Sequence, residues 1–432
     1  MNMFFKNKLS NGIRCAGETM ENYKSVSVAV WVVAGSVYEN DGDAAASAED
    51  GISHFIEHML FKGTESRSAH KIAQEIDLLG GNVNAFTGKQ CTCFYAKVLN
   101  ENLSHALDLI SDIVCHPKLD PRDIEREKGV VLEEIAMVED SPEDIAHETL
   151  SATFFKGDPI AKPVLGTRES VSSFTREDII RYMDKRYTKE NIIITAAGNF
   201  EPSEFIEAAE KTFGRYNRGS GAEQKLVTCG RPAGGRNIAF VEKDIEQMNI
   251  CVGFNGFASE AEQHYSAVAL SNAFGGSMSS RLFQAIRENK GLAYSVYSTL
   301  SSYDTAGCTV LYAGTGEKQA ETVVKLMLDE YNKLKHGGLT PEELERSKKQ
   351  MKTSVLLGRE STSAHSSAIG RAMILGIEYK TEDELIRRIN SVSMEDIEAI
   401  LPIVCDFENM STVFVGRCSK IENRLRSAVD SI

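Results

Sequence analysis

The chain has 432 residues, of which 42% are hydrophobic, with nine cysteines and a formal net charge of −14. That length can bury large cores and fits two or three domains, and the acidic balance argues against a nucleic-acid ligand while leaving cationic or neutral partners open. No apolar run approaches the ~18 residues of a membrane span, and the amino end, MNMFFKNKLSNG, offers only a short apolar patch, so neither a span nor a signal peptide is expected and the expected location is cytoplasmic.

The cysteines, odd in number and scattered from Cys15 to Cys418 without a spacing framework, read as reduced thiols. Cys91 and Cys93, close in sequence, alternate along an expected strand and read as packed thiols rather than ligands.

In chain order, Val26, Val28, Val30 and Val32 alternate up to Gly35 and predict a strand. It leads to HFIEH, His54 to His58. Gly51 and Ser53 offer an amino-terminal boundary, Ile52, Phe55, Ile56, Met59 and Leu60 a broad apolar face, and Gly63 after Lys62 a stop, so the motif is expected on a half-buried helix. Side chains four apart on a helix have Cβ atoms ~5–6 Å from each other. The imidazoles of His54 and His58 can therefore reach one metal ion. Glu57, one turn from His54, can take a proton from water that the ion acidifies without itself being a ligand. HxxEH is the inverted zincin order, set against the plainer reading of two unrelated surface histidines.

An amphipathic stretch from His70 to Leu79 ends at Gly80 and Gly81, and Val83–Phe86 and Thr92–Leu99, separated by Gly88, predict a hairpin. A helix from about Leu103 to Val114 precedes another that Asp120 caps and Pro121 opens, carrying Glu127, Glu133 and Glu134. Zinc needs a third protein ligand, and this second helix is the best place for it. Glu127 and Glu134 lie two turns apart and face one way, with Glu133 roughly 100° off, so one could ligate while another braces a histidine. The plainer reading is an acidic solvated face.

The chain also repeats itself. Thr175 to Gly198 lies without a gap over Ser393 to Gly416, and LDPRDIEREK from Leu119 lies over LTPEELERSK from Leu339. Two copies of one αβ unit are expected, an α+β fold of two homologous domains at 1–216 and 237–432, each a sheet packed with helices. The join at 217–236 is rich in Gly and polar residues. Through these alignments Glu127 falls on Ser347 and Glu134 on Ser354, while FKGT at Phe61 and FGGS at Phe274 set His54, Glu57 and His58 on Ala267, Leu270 and Ser271. The second copy lacks every candidate ligand, which favours function over packing as the reason for them in the first.

HFIEHMLFKGT, NAFT from Asn84, GVVLEE and SRLFQAIRENKGLAYSVYS from Ser280 resemble the pitrilysin/insulinase family of zinc peptidases, in particular the processing-peptidase β-subunits and single-unit bacterial members. The likeness spans nearly the whole chain. It implies one zinc per chain held by His54, His58 and Glu134, since in that family about 75 residues separate the second histidine from the third ligand, as 75 do here. It implies a supporting role for Glu127 and substrate contacts from Arg287 and Tyr294. Asn84, Ala85 and Phe86 match the edge strand along which an extended peptide is paired. It also implies a clamshell of which this chain is one half, and so a homodimer with active sites shared between protomers. The function expected is that of a zinc endopeptidase cleaving unfolded peptides in an enclosed chamber. The rival is a catalytically silent structural homologue, as among respiratory-complex core proteins, whose mark is an eroded HxxEH; here the motif is intact.

Overall fold

The computed structural model describes residues 3–218 and 229–432, so much of the expected join at 217–236 lies outside the described residues. The chain forms two compact units. One comprises Met1–Ile135, Pro163–Val227 and Leu357–Lys380, the other Ala136–Lys162, Thr228–Leu356 and Thr381–Ile432.

The first unit is built on six strands, β1 (Met3–Lys8), β2 (Arg14–Thr19), β3 (Ser25–Val32), β4 (Asn82–Thr87), β5 (Thr92–Leu99) and β6 (Ile192–Gly198), in the order β1-β2-β6-β3-β5-β4. Only β2 and β6 run parallel. The alternating valines of β3 point into the main core with Phe55, Ile56 and Met59 of helix Ile52–Leu60 and with Leu107 and Ile110 of helix Leu103–Cys115. Residues between them face the other way, because side chains alternate along a strand. There the sheet is covered by helix Thr362–Leu375, through hydroxyls and small side chains. Ser27 Oγ lies 2.8 Å from Thr362 Oγ1, Trp31 Nε1 donates to Thr195 Oγ1 at 3.0 Å, and Thr195 Oγ1 is 2.9 Å from Ser366 Oγ. A Cβ on Gly370 would fall 2.1 Å from the Trp31 indole, so only glycine lets the helix lie flat on that ring.

The second unit carries β7 (Asn237–Glu242), β8 (Gln247–Gly256), β9 (Ala293–Ser302), β10 (Gly307–Gly316) and β11 (Ser411–Gly416), in the order β7-β11-β8-β10-β9 with β7 and β11 parallel. This is the first sheet's topology without its outermost strand. The repeat seen in sequence is a repeat of structure: Thr175 and Ser393 each open a helix with a capping box, closed by Asp178 and Asp396, and the strands that follow end at Gly198 and Gly416, both at positive φ, 137° and 148°.

The two-domain division at 217–236 accounts for the sheets but not for their second layers. Helix Pro142–Phe154, from the first half of the chain, packs on β7, β8 and β11 of the second unit, with Leu150 against Gly253. Helix Thr362–Leu375, from the second half, packs on β2, β3 and β6 of the first. A sheet buried on both faces needs a layer on each, and here each sheet draws its second layer from the opposite half of the chain. Among the described residues no helix is long and apolar enough to cross a membrane. The nine cysteines are free thiols.

Candidate metal centre

The motif helix, Ile52–Leu60, buries Ile52, Phe55, Ile56, Met59 and Leu60 and so turns His54, Glu57 and His58 together to its other side, with the imidazole centroids 4.6 Å apart. The carboxylate helix, Pro121–Glu139, starts where expected, the Asp120 side chain accepting the Arg122 N–H at 3.0 Å. It buries Ile124, Glu127, Val131 and Ile135, which leaves Glu134, two turns beyond Glu127, half-exposed beside the histidines. Glu133 points to solvent.

Glu134 Oε2 lies 3.5 Å from His54 Nε2 and 3.4 Å from His58 Nε2. Ligand atoms held ~2.0–2.1 Å from a tetrahedral zinc stand roughly 3.3 Å from one another. The three side chains, which form the one group of His, Cys, Asp and Glu suited to a metal among the described residues, therefore fit zinc in number and donor type, with Glu134 at that spacing from both imidazoles and all three ligand atoms within 4.8 Å of one another. Burial, with His58 close by, lowers the His54 pKa to about 4, so that this imidazole is neutral at pH 7, the form a metal takes.

Glu127 is engaged with neighbouring side chains. Its Oε1 is 2.9 Å from His58 Nδ1 and its Oε2 2.7 Å from Lys62 Nζ, so both oxygens are engaged. Burial would raise its pKa, but hydrogen bonds from His58 and Lys62 lower it overall, so it is ionised and His58 must donate from Nδ1. That fixes Nδ1–H in the neutral ring and makes Nε2 the ligand atom; burial lowers the His58 pKa, but Glu127, Glu134 and Glu57 raise it overall, so an ion would displace a proton from Nε2. Glu57 is half-buried; Thr87 Oγ1 donates to its Oε2 at 2.5 Å. Burial raises the Glu57 pKa, an effect that the Thr87 bond only partly offsets.

Sequence reasoning singled out His54, His58, Glu134 and Glu57, which the structure brings together, but missed Lys62 and Thr87. Both lie inside stretches it quoted, FKGT and NAFT, yet neither carries a spacing signal, because each meets its partner only through tertiary packing.

The other expected residues lie as follows. Asn84 and Phe86 are exposed on β4, an edge strand of the first sheet, and the Asn84 carboxamide oxygen accepts the Ala85 N–H at 2.9 Å. Phe86 stands edge-on to Trp31 and beside Tyr95. In the second unit Arg287 lies on a π-turn, Gln284–Glu288, its guanidinium 4.8 Å from the ring centroid of Tyr294 and 4.9 Å from that of Phe283. Tyr294, on edge strand β9, is 79% exposed.

Residues 14–168 match the profile of the insulinase family, peptidase family M16, and residues 173–351 that described as the peptidase M16 inactive domain. The chain is 41% identical to an uncharacterized zinc protease of Bacillus subtilis, YmxG, over 90% of this chain and 93% of that one. It is 34% identical to an uncharacterized zinc protease of Streptomyces coelicolor over 98% and 91%. The chain belongs to peptidase family M16, the insulinase family. Its fold is also that of a protease from Helicobacter pylori, at 21% identity and a TM-score of 0.89 over 96% of this chain and 100% of that one. A chain of Complex III2 from Candida albicans matches as well, at 21% identity and a TM-score of 0.83 over 98% and 99%.

Proposed function

We propose that this protein is a zinc endopeptidase in which His54, His58 and Glu134 hold one zinc ion and Glu57 is the general base. The observation that carries the reading is the convergence of two imidazoles on one carboxylate oxygen, 3.5 and 3.4 Å from their Nε2 atoms, with all three ligand atoms within 4.8 Å of one another. When bound, zinc supplies the Lewis acid that polarises a carbonyl and acidifies water. Thr87 holds one oxygen of Glu57, and the other takes the proton from the attacking water and returns it to the leaving amine. Partial burial suits Glu57 to both steps, because it stabilises the neutral acid that stands between them. Glu127 keeps His58 oriented and stays off the ion.

An unfolded peptide adds as a strand along β4, its backbone beside Asn84, Ala85 and Phe86. Arg287 and Tyr294, stacked and with the phenol open to solvent, are the donors that steady the developing oxyanion. In this reading they act on the zinc of the other protomer of a cytoplasmic homodimer.

The silent-homologue reading keeps some force from the likeness to a Complex III2 chain, since a shared fold does not carry a shared reaction. The test is a mixed library of unstructured peptides offered to the zinc-loaded wild type and to Glu57→Gln. The wild type is expected to cleave, and Glu57→Gln to keep its zinc while losing about 10²–10⁴-fold in turnover. A zinc-loaded wild type that leaves the whole library intact would decide for the silent homologue.

A further inference from the structure

The motif helix starts without a cap of its own. Gly51 stands at the N-cap with φ 86° and has no side chain to offer the first orphan N–H groups. They are met instead from twelve residues upstream, by Glu39, whose Oε2 accepts the Gly51 N–H at 2.8 Å and whose Oε1 accepts the Ser53 N–H at 3.0 Å. Glu39 is 1% exposed.

This carboxyl is in turn tied to the β4–β5 hairpin. It belongs to the turn Ser36–Gly42, in which Val37 N–H donates to Lys89 O at 3.0 Å. The next residue, Asn40, is held from both sides: its N–H donates to Glu49 Oε2 at 2.7 Å, its Nδ2 to Asp50 Oδ1 at 2.8 Å, and its Oδ1 accepts the Glu49 N–H at 2.9 Å. The hairpin that anchors the Glu39 turn is the one whose Thr87 holds Glu57. A capping side chain at position 51 itself is shut out, because φ is 86° there and a Cβ would lie 2.5 Å from Leu165 O, so the cap must come from elsewhere in the chain. A local cap would tie the helix only to its own preceding turn, whereas Glu39 ties it to the β4–β5 hairpin.

We propose that Glu39 is a positioning residue of the metal centre: it sets the axial and rotational position of the motif helix against β4, so that His54 and His58 meet Glu134 while Glu57 meets Thr87. The proposal rests on the reading of His54, His58 and Glu134 as a zinc site.

The experiment compares Glu39→Gln and Glu39→Ala with Ser68→Ala, which removes the side-chain cap of the neighbouring helix Ala69–Leu79. Three quantities are measured on each folded protein: the zinc dissociation constant by chelator competition, the visible spectrum of the cobalt(II)-substituted protein, and the melting temperature. Glu39→Ala is expected to weaken zinc by about 10–100-fold and to shift the cobalt bands, the loss typical when support of a metal ligand is removed. Glu39→Gln keeps one acceptor and should fall between it and the wild type. Ser68→Ala should melt earlier with zinc affinity and cobalt spectrum unchanged.

Glu39 variants that melt earlier yet bind zinc within twofold of the wild type, with its cobalt spectrum, overturn the proposal and make Glu39 a support of the fold alone. Should Glu39→Ala fail to fold, Glu39→Gln decides by the same readings. A wild type that takes up neither ion overturns the zinc site itself, and the proposal with it, a result distinct from a wild type that binds and variants that match it.

Discussion

The motif helix and the carboxylate helix of the first unit have counterparts by repeat in the second, His264–Gly275 and Pro341–Gly358, and the two pairs bury different chemistry. In the second, Ala267 and Leu270 stand where His54 and Glu57 stand in the first, and both belong to the apolar core. Ser271, in the place of His58, pairs with Ser298 at 2.8 Å, and Ser347, in the place of Glu127, donates to Ala269 O at 2.9 Å. Small neutral groups thus suffice to join such a helix pair. In the first pair a carboxylate that is 1% exposed, two imidazoles and a lysine occupy the equivalent space. Burying charged groups is costly even when they are paired. Packing therefore does not account for them, and the proposed zinc site would.

The sharpest way to break this comparison is to write the second copy into the first. His54→Ala, His58→Ser and Glu127→Ser together reproduce Ala267, Ser271 and Ser347. The triple variant should take up no zinc yet fold, melting within roughly 5 °C of the metal-free wild type, the shift that about 1–2 kcal/mol gives a domain of this size. An unfolded triple variant, shown by circular dichroism, would mean that the two pairs are not held together in equivalent ways.

A smaller change sharpens the choice among the glutamates. Glu134→Gln should lose zinc by elemental analysis, and Glu133→Gln, altered at an exposed side chain, should keep it. The reverse pattern would remove Glu134 from the ligand set. Smaller again is the brace: Glu127→Ser alone should weaken zinc by about 10–100-fold without abolishing binding, because His58 keeps its place but loses its fixed tautomer. Competition with a graded series of chelators measures it, and an unchanged constant would leave Glu127 no role at the metal.

Most of the candidate metal centre was legible because its residues are local on helices. His54 and His58 share a face by spacing alone, Asp120 and Pro121 fix the start of the carboxylate helix, and the internal repeat exposes what the second copy lacks. The hairpin and the helix–strand repeat were legible for the same reason, with turn and cap residues at short range. Lys62, Thr87 and Glu39 were not. Their partners lie 65, 30 and 12 or more residues away in sequence, and nothing in a lysine, a threonine or a glutamate says which helix it will meet. The helix exchange escaped for a related reason. Helix Thr362–Leu375 carries Ser363, Ser366 and Gly370 on the side it buries, and a polar, small-residue face does not announce itself as a packing surface.

The smallest effect concerns the carboxyl that caps the motif helix, for which the second copy again offers no counterpart charge: its helix follows Gln263, without a side-chain cap. Burial raises the Glu39 pKa to about 7, against the lowering effect of the Ser53 and Gly51 N–H groups, and Asp50 adds to the rise. A carboxyl whose pKa is higher folded than unfolded favours the fold while protonated. Its contribution is complete below the unfolded pKa of about 4.3 and is lost as pH rises through about 7. Asp112 runs the other way. Burial opposes its ionisation, but bonds from Thr64, Arg67 and Ser66 prevail and lower its pKa, so its contribution is present above the ordinary aspartate range and lost on acidification. Glutamine at 39 does not titrate. The melting temperature of the metal-free wild type should therefore fall relative to Glu39→Gln between pH 5 and pH 8, whereas relative to Asp112→Asn it should fall only as the pH drops toward about 3. Using differences between variants cancels the titration of every other group. A gap between wild type and Glu39→Gln that stays flat from pH 5 to pH 8 would mean that Glu39 is as ionised in the fold as outside it, and that the motif helix is capped by an ordinary carboxylate.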